Sequence, residues 1–181
     1  MWFATILVVL ASASADKLTS ADRLWLASVD HLITKAERQQ YESFDADGRR
    51  RFEENFWVSR DPDPSTPQNE AHEEHLKRLH FVEQHLQENE VPGVLTERGR
   101  VYLKFGAPQY RKMGNLPATA NGSISASRRD WAGGDVPVEI WVYDHPPAAN
   151  PGKYRVMTFV DENGTNRYGI LNDEQRPLQK R

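Results

Sequence analysis

Gly93-Val94-Leu95-Thr96-Glu97-Arg98-Gly99-Arg100-Val101-Tyr102-Leu103-Lys104-Phe105-Gly106-Ala107-Pro108 is where the hydrophobic period of the chain changes. Upstream, apolar residues recur at helical spacing. Within the stretch, Val101, Leu103 and Phe105 alternate with Tyr102 and Lys104, the two-residue period of a strand, and Gly106-Ala107-Pro108 closes it. This reading predicts helices over about residues 20–90 and an antiparallel sheet over about 99–171. The fold class is α+β, with N-terminal amphipathic helices packed on a C-terminal β-meander.

Working upstream, Trp25, Val29, Leu32, Ile33 and Ala36 mark one amphipathic helix from Ser20 onward. Asp45-Ala46-Asp47-Gly48 breaks it and caps a second helix, on which Phe52 and Phe56 share a face beside Trp57. That helix must stop near Arg60, because Asp61 precedes Pro62 and a residue before proline is pushed out of the α region. Pro62, Pro64 and Pro67 stiffen the connection. Thr66 is the expected N-cap of a third helix that runs to about Asn89, with Ala71, Leu76, Leu79, Val82 and Leu86 as its core-facing line.

Working downstream, Gln109 to Pro137 is rich in Gly, Ala, Ser, Asn and Arg with little apolar pattern, and reads as a long mobile loop. Strand alternation resumes over Val138 to Tyr143 and Tyr154 to Val160. Asp161-Glu162-Asn163-Gly164 is a turn, and Asn166 to Leu171 pairs back as a hairpin. Residues 173–181 form a polar tail that is expected to fray from Gln175.

Met1 to Ala15 contains no Asp, Glu, Lys or Arg, and its apolar run from Ile6 to Leu10 leads into Ala13-Ser14-Ala15. That is the pattern of a signal peptide with an A-x-A cleavage site, so the expected mature chain starts at Asp16 and is secreted or periplasmic. The run is too short to cross a bilayer, which needs roughly 20 apolar residues, so no membrane span is expected in the mature chain. Residues 16–172 form a single expected domain. With 23 basic and 26 acidic residues, composition does not point to nucleic acid. The absence of cysteine excludes disulfides, thiol chemistry and Cys-type zinc sites.

Two segments resemble the GWxTD-domain family. Phe56-Trp57-Val58-Ser59-Arg60-Asp61-Pro62-Asp63-Pro64-Ser65-Thr66-Pro67-Gln68-Asn69-Glu70 is similar to its FWxxRDPxPxTxxNE segment. Gly93 to Tyr102, with Gly93, Thr96, Glu97, Arg98 and Gly99, is similar to the segment that names the family, although Val94 replaces its Trp and Glu97 its Asp. Glu139 to Tyr143 and Phe159 to Asp161 fit its later strands, so the resemblance runs from about Leu24 to Leu171. It implies an exported bacterial domain of this fold and no particular reaction.

The polar residues singled out are Arg60, Asp61, Asn69, Glu70, Glu74 and Arg78. Glu70, Glu74 and Arg78 line one helical stripe, and the proline-rich turn can fold Arg60 and Asp61 back against its start. As chemistry, this is a carboxylate and guanidinium cleft for acid/base work or anion binding. As structure, it is a clasp that satisfies the turn and fixes two helices. His72-Glu73-Glu74-His75 has its histidines three apart, not the four of zinc-protease helices, and no metal or other cofactor is expected. Trp131, Trp141, Tyr143 and Tyr154 read either as an aromatic binding surface or as sheet-to-helix core. The functional expectation is a non-catalytic interaction or accessory domain for an unknown protein or extracellular ligand. The alternative is a hydrolase-like enzyme centred on Asp61 and Glu70.

Overall fold

Side-chain caps decide where the helices of this chain begin. In the computed structural model, which describes residues 17–116, 136–143 and 153–177, Thr19 and Thr34 each form a reciprocal capping box, with Asp22 and Glu37 respectively. They open α1 (Ser20–Ser28) and α2 (Lys35–Ser43). Asp45 accepts from the Gly48 amide at 2.7 Å and opens α3 (Ala46–Val58). Asn69 opens α4 (Glu70–His85), and Thr96 opens α5 (Glu97–Phe105) after a short 3-10 turn over Gly93–Leu95. The expected signal peptide lies outside the described residues, among which no helix is long and apolar enough to cross a membrane.

Three helical expectations need correction. The single helix from Ser20 is two helices, because the Thr34–Glu37 box restarts the chain. The third helix starts on Asn69, not Thr66, and ends at His85, not near Asn89. Leu76 leaves its expected core line at 49% exposure, while His75 is buried. The largest correction is Val101 to Phe105, which is helix and not strand. Val101 and Leu103 lie on different sides of α5 and both are buried, so alternating hydrophobicity there reflects a helix enclosed on more than one side.

The sheet is antiparallel throughout, in the order β1 (Tyr110–Leu116), β2 (Val136–Tyr143), β3 (Lys153–Val160), β4 (Gly169–Pro177). Both ends of the expected loop 109–137 are therefore strand; its remainder, 117–135, lies outside the described residues, as does Trp131. β1 escapes sequence reading because it is an edge strand exposed from Tyr110 to Asn115, with no buried face to impose alternation. The expected tail is likewise corrected: residues 173–177 pair with β3, and Asp173 sits 2.9 Å from Arg155.

Trp141, Tyr143, Met157 and Phe159 face the helices and pack with Val82 and Leu86 of α4, Val94, and Val101 and Leu103 of α5. Full burial of each large side chain contributes about 1.5–3 kcal/mol. Val136, Val138 and Val160 form a separate cluster with Leu171 on the other strand parity. A further core joins Val29, Phe56 and Trp57 with Trp25, Ile33 and Phe52. There Trp25 stacks on Tyr41 at 4.7 Å and meets Phe56 edge-on at 5.4 Å.

Candidate functional site

The six polar residues singled out by sequence do not converge on one cleft. Arg60 turns away from Glu70, donates to both carboxylate oxygens of Glu37 at 2.9 and 3.0 Å, and lies 3.5 Å over the Phe56 ring. Asp61 accepts from the Asp63 amide at 3.1 Å, a local turn contact. Asn69 uses both ends of its amide, accepting from the His72 amide at 2.9 Å and donating to the Trp57 carbonyl at 2.6 Å. Glu70 meets the Thr66 hydroxyl at 3.0 Å, whereas Glu74 and Arg78 pair at 2.7 Å. Arg78 also donates to the Leu103 carbonyl at 3.1 Å and so ties α4 to the end of α5. Asn69 does tie α3 to α4, but the two carboxylates proposed for chemistry each serve their own turn. Pro62 and Pro64 are exposed, and Trp57 is core.

The Gly93–Gly99 segment is a backbone crossing. A Cβ on Gly99 would lie 1.8 Å from the Gly93 carbonyl oxygen, and one on Gly93 would lie 2.1 Å from that of Val82. Only residues without a Cβ allow the 3-10 turn, α4 and α5 to approach so closely. Thr96 completes the crossing, accepting from the Gly99 amide at 2.9 Å while its hydroxyl reaches the Gly93 and Leu86 carbonyls at 2.8 and 3.1 Å. Glu83 of α4 accepts from the Val94 amide at 2.8 Å. Val94 is buried, and Glu97 forms a surface pair with Arg100 at 2.7 Å.

Behind this crossing lies a buried ionic network. Arg98, 5% exposed, donates from Nε to Glu88 and from Nη1 to Glu139, both at 2.9 Å. Its guanidinium also stacks 4.0 Å from the Tyr168 ring. The second oxygen of Glu88 accepts from the Tyr168 amide at 3.1 Å. Glu139, fully buried, also accepts from Trp141 Nε1 at 2.6 Å and from Arg111 of β1. Burial pushes the Glu139 carboxyl up, but hydrogen bonds from Arg111, Trp141 and Arg98 outweigh it and hold the group below the ordinary carboxylate range. Every oxygen of both carboxylates accepts a hydrogen bond from a neighbouring donor, so neither is directed at open space. Sequence reading flagged Arg98 through its motif and missed Glu88, Glu139 and Arg111. The available signal was Glu139 itself, a charge on the strand face that also carries Trp141 and Tyr143.

The histidines form a second unusual group. His75 is 6% exposed, its Nδ1 has no hydrogen-bond partner among the described residues, and it packs against Trp57 at 4.7 Å and His31 at 6.2 Å. Burial lowers its pKa to about 4, with His31, His72 and Arg78 adding to the effect. Burial, then Arg78 and Lys104, lower that of His31 to about 4, against a smaller opposing effect of Asp30. Both are neutral at pH 7. Among the described residues no group of three or more His, Asp or Glu is arranged to hold a metal.

Trp141 and Tyr143, each 1% exposed, are core and not a binding surface; the Tyr143 hydroxyl donates to the Gly106 carbonyl at 3.1 Å. A groove of about 480 Å³ between α5 and strands β3 and β4 is lined in part by Glu97, Lys104, Arg155 and Asp173. Most of its charges are matched within it, Glu97 by Arg100 and Asp173 by Arg155. Compared with known proteins, the chain matches no family model, no curated protein and no solved structure.

Proposed function

We propose that this chain is an exported, non-catalytic interaction or accessory domain of the GWxTD type. The observation that carries the reading is the saturation of the Glu88–Arg98–Glu139–Arg111 network: the buried Glu88, Arg98 and Glu139 are committed to one another, and Glu139 also to Arg111 at the sheet edge. A catalytic acid or base must instead keep an oxygen directed at substrate. The signature residues Gly93, Thr96, Arg98 and Gly99 build that same junction, which gives them a structural role. No comparable observation favours a hydrolase at Asp61 and Glu70, whose contacts are local. Export rests on the uncharged first fifteen residues and the Ala13-Ser14-Ala15 site. Intact-mass analysis of protein secreted by a bacterial host should find a chain that begins at Asp16.

The functional test combines turnover with stability. The purified chain should hydrolyse none of a panel of chromogenic esters, peptides and glycosides, and Glu139→Gln should lower its melting temperature. Turnover by the parent that disappears in a well-folded Asp61→Asn or Glu70→Gln variant would establish the enzyme instead.

A further inference from the structure

The cleft between α2 and α3 encloses about 640 Å³ and is lined by Phe44, Phe52 and Phe56, with Gln40 on one wall and Arg51 and Asn55 on the other. Its shape follows from the tight connection between the helices. Gly48 allows the Phe44 ring to fold under α3, because a Cβ there would lie 2.9 Å from that of Phe44. Phe52 and Phe56 come from successive turns of α3, and Phe44 and Phe52 lie 6.3 Å apart. Three aromatic rings thus meet in a slot beside α2, whose nine residues rise about 13 Å.

The polar groups around these rings fall into two sets. Glu37 is held by Arg60, and Asp45 caps α3. The Ser43 and Ser59 hydroxyls donate to the Gln40 and Phe56 carbonyls of their own helices at 2.7 and 2.9 Å. In contrast, the side chains of Gln40, Arg51 and Asn55 have no partner among the described residues, and all three are exposed. An uncompensated guanidinium and two carboxamides therefore stand over a largely apolar floor. Such a combination fits a ligand with an apolar body and a few polar groups in defined places. The two amides, each both donor and acceptor, match a peptide main chain. An anionic lipid would use the guanidinium and the rings and leave both amides unmatched.

We infer that the α2–α3 cleft docks a short segment of a partner protein that carries a bulky apolar side chain next to a carboxylate. The apolar side chain lies on the half-buried Phe44 and Phe52, the carboxylate pairs with Arg51, and Gln40 and Asn55 bond the segment's main chain. This inference rests on the interaction-domain reading above and gives it a partner chemistry.

The test is selection of a random dodecapeptide library on the full chain, followed by binding measurements of the enriched peptides to the parent and to two variants. Arg51→Glu reverses the free charge, and Gln40→Trp places an indole in the cleft. Both positions are exposed and unpaired, and both variants should melt with the parent. Enriched peptides should pair an Asp or Glu with a neighbouring Leu, Phe or Trp, and should bind Arg51→Glu and Gln40→Trp at least about tenfold more weakly, a difference of about 1.4 kcal/mol. Failure to enrich any peptide overturns the inference, as do peptides that bind all three proteins equally. Binding to phosphatidylglycerol vesicles with no peptide enriched also overturns it, by assigning the cleft to lipid. The two readings fail separately: turnover would sink the non-catalytic reading and leave the selection result standing, and an empty selection would sink the docking site alone.

Discussion

Two assemblies in this chain are made from the same side chains, arginine and carboxylate, and do different work. The first runs along α4 and its preceding turn, from Arg60 to Arg78. There the pairs are local or half-exposed, as in Glu74 and Arg78, whose side chains are 55% and 24% exposed. The second joins Glu88, Arg98 and Glu139, whose side chains are all buried, and ties the segment after α4 to α5 and β2. Exposed pairs contribute about 0–1 kcal/mol, because water and salt screen them and ordering two long side chains costs entropy. A buried group that loses its partner keeps its desolvation cost and has nothing to offset it. Burial, not residue type, therefore decides which assembly the fold depends on.

Glu139→Gln breaks the buried assembly with little change of shape and should give the largest effect, a loss of about 3–5 kcal/mol. That is a large share of the 5–15 kcal/mol typical of a domain, and chemical denaturation followed by circular dichroism would measure it. A midpoint equal to the parent's would remove the distinction between the two assemblies. Gly99→Ala tests the crossing that holds Arg98 in place. Its added methyl meets a backbone carbonyl at 1.8 Å, which no side-chain rotation relieves, so a loss of about 3 kcal/mol is expected in the same measurement.

Acid sharpens the comparison from another direction. His31 and His75 have folded pKa values near 4, below the ordinary 6.5, so the unfolded chain binds protons first. The stability they contribute is complete above about pH 6.5 and is lost as pH falls from there towards 4. The effect is on the order of 2 kcal/mol for His75 and smaller for His31, which retains more solvent screening. Urea midpoints should fall between pH 7.5 and pH 5, and His75→Phe should flatten that slope. A parent midpoint that does not change over this interval would show that the imidazoles are solvated. The smallest effect belongs to the turn. Asp61→Asn and Glu70→Gln should each shift stability by no more than about 0.5 kcal/mol. A loss of several kcal/mol on thermal melting would mean that the turn is buried by contacts beyond those described.

The α+β order, the α3 cap at Asp45, and strands β2 and β3 were legible because local chemistry and hydrophobic period agree there. The capping boxes at Thr19 and Thr34 were present in the sequence but overlooked, since Trp25 to Ala36 continues a helical period across the break between α1 and α2. The strand assigned to Val101–Phe105 failed for the opposite reason. Period two dominates that stretch, and Thr96, the residue that starts the helix, carries a signal only once its hydroxyl is seen to accept from Gly99. β1 was illegible because an exposed edge strand has no buried face to write into its side chains.

The sequence by itself determined the helical half, the sheet half and the lack of cysteine for thiol chemistry, because each depends on residue type or on spacing within one element. Which charges matter was decided only by tertiary structure. Glu88, Arg98, Arg111 and Glu139 are separated by up to 51 positions and meet only when α5 and β1 are laid beside β2. The strength of an ion pair depends on how much water the surrounding chain removes from it, and no spacing within a helix or strand encodes that.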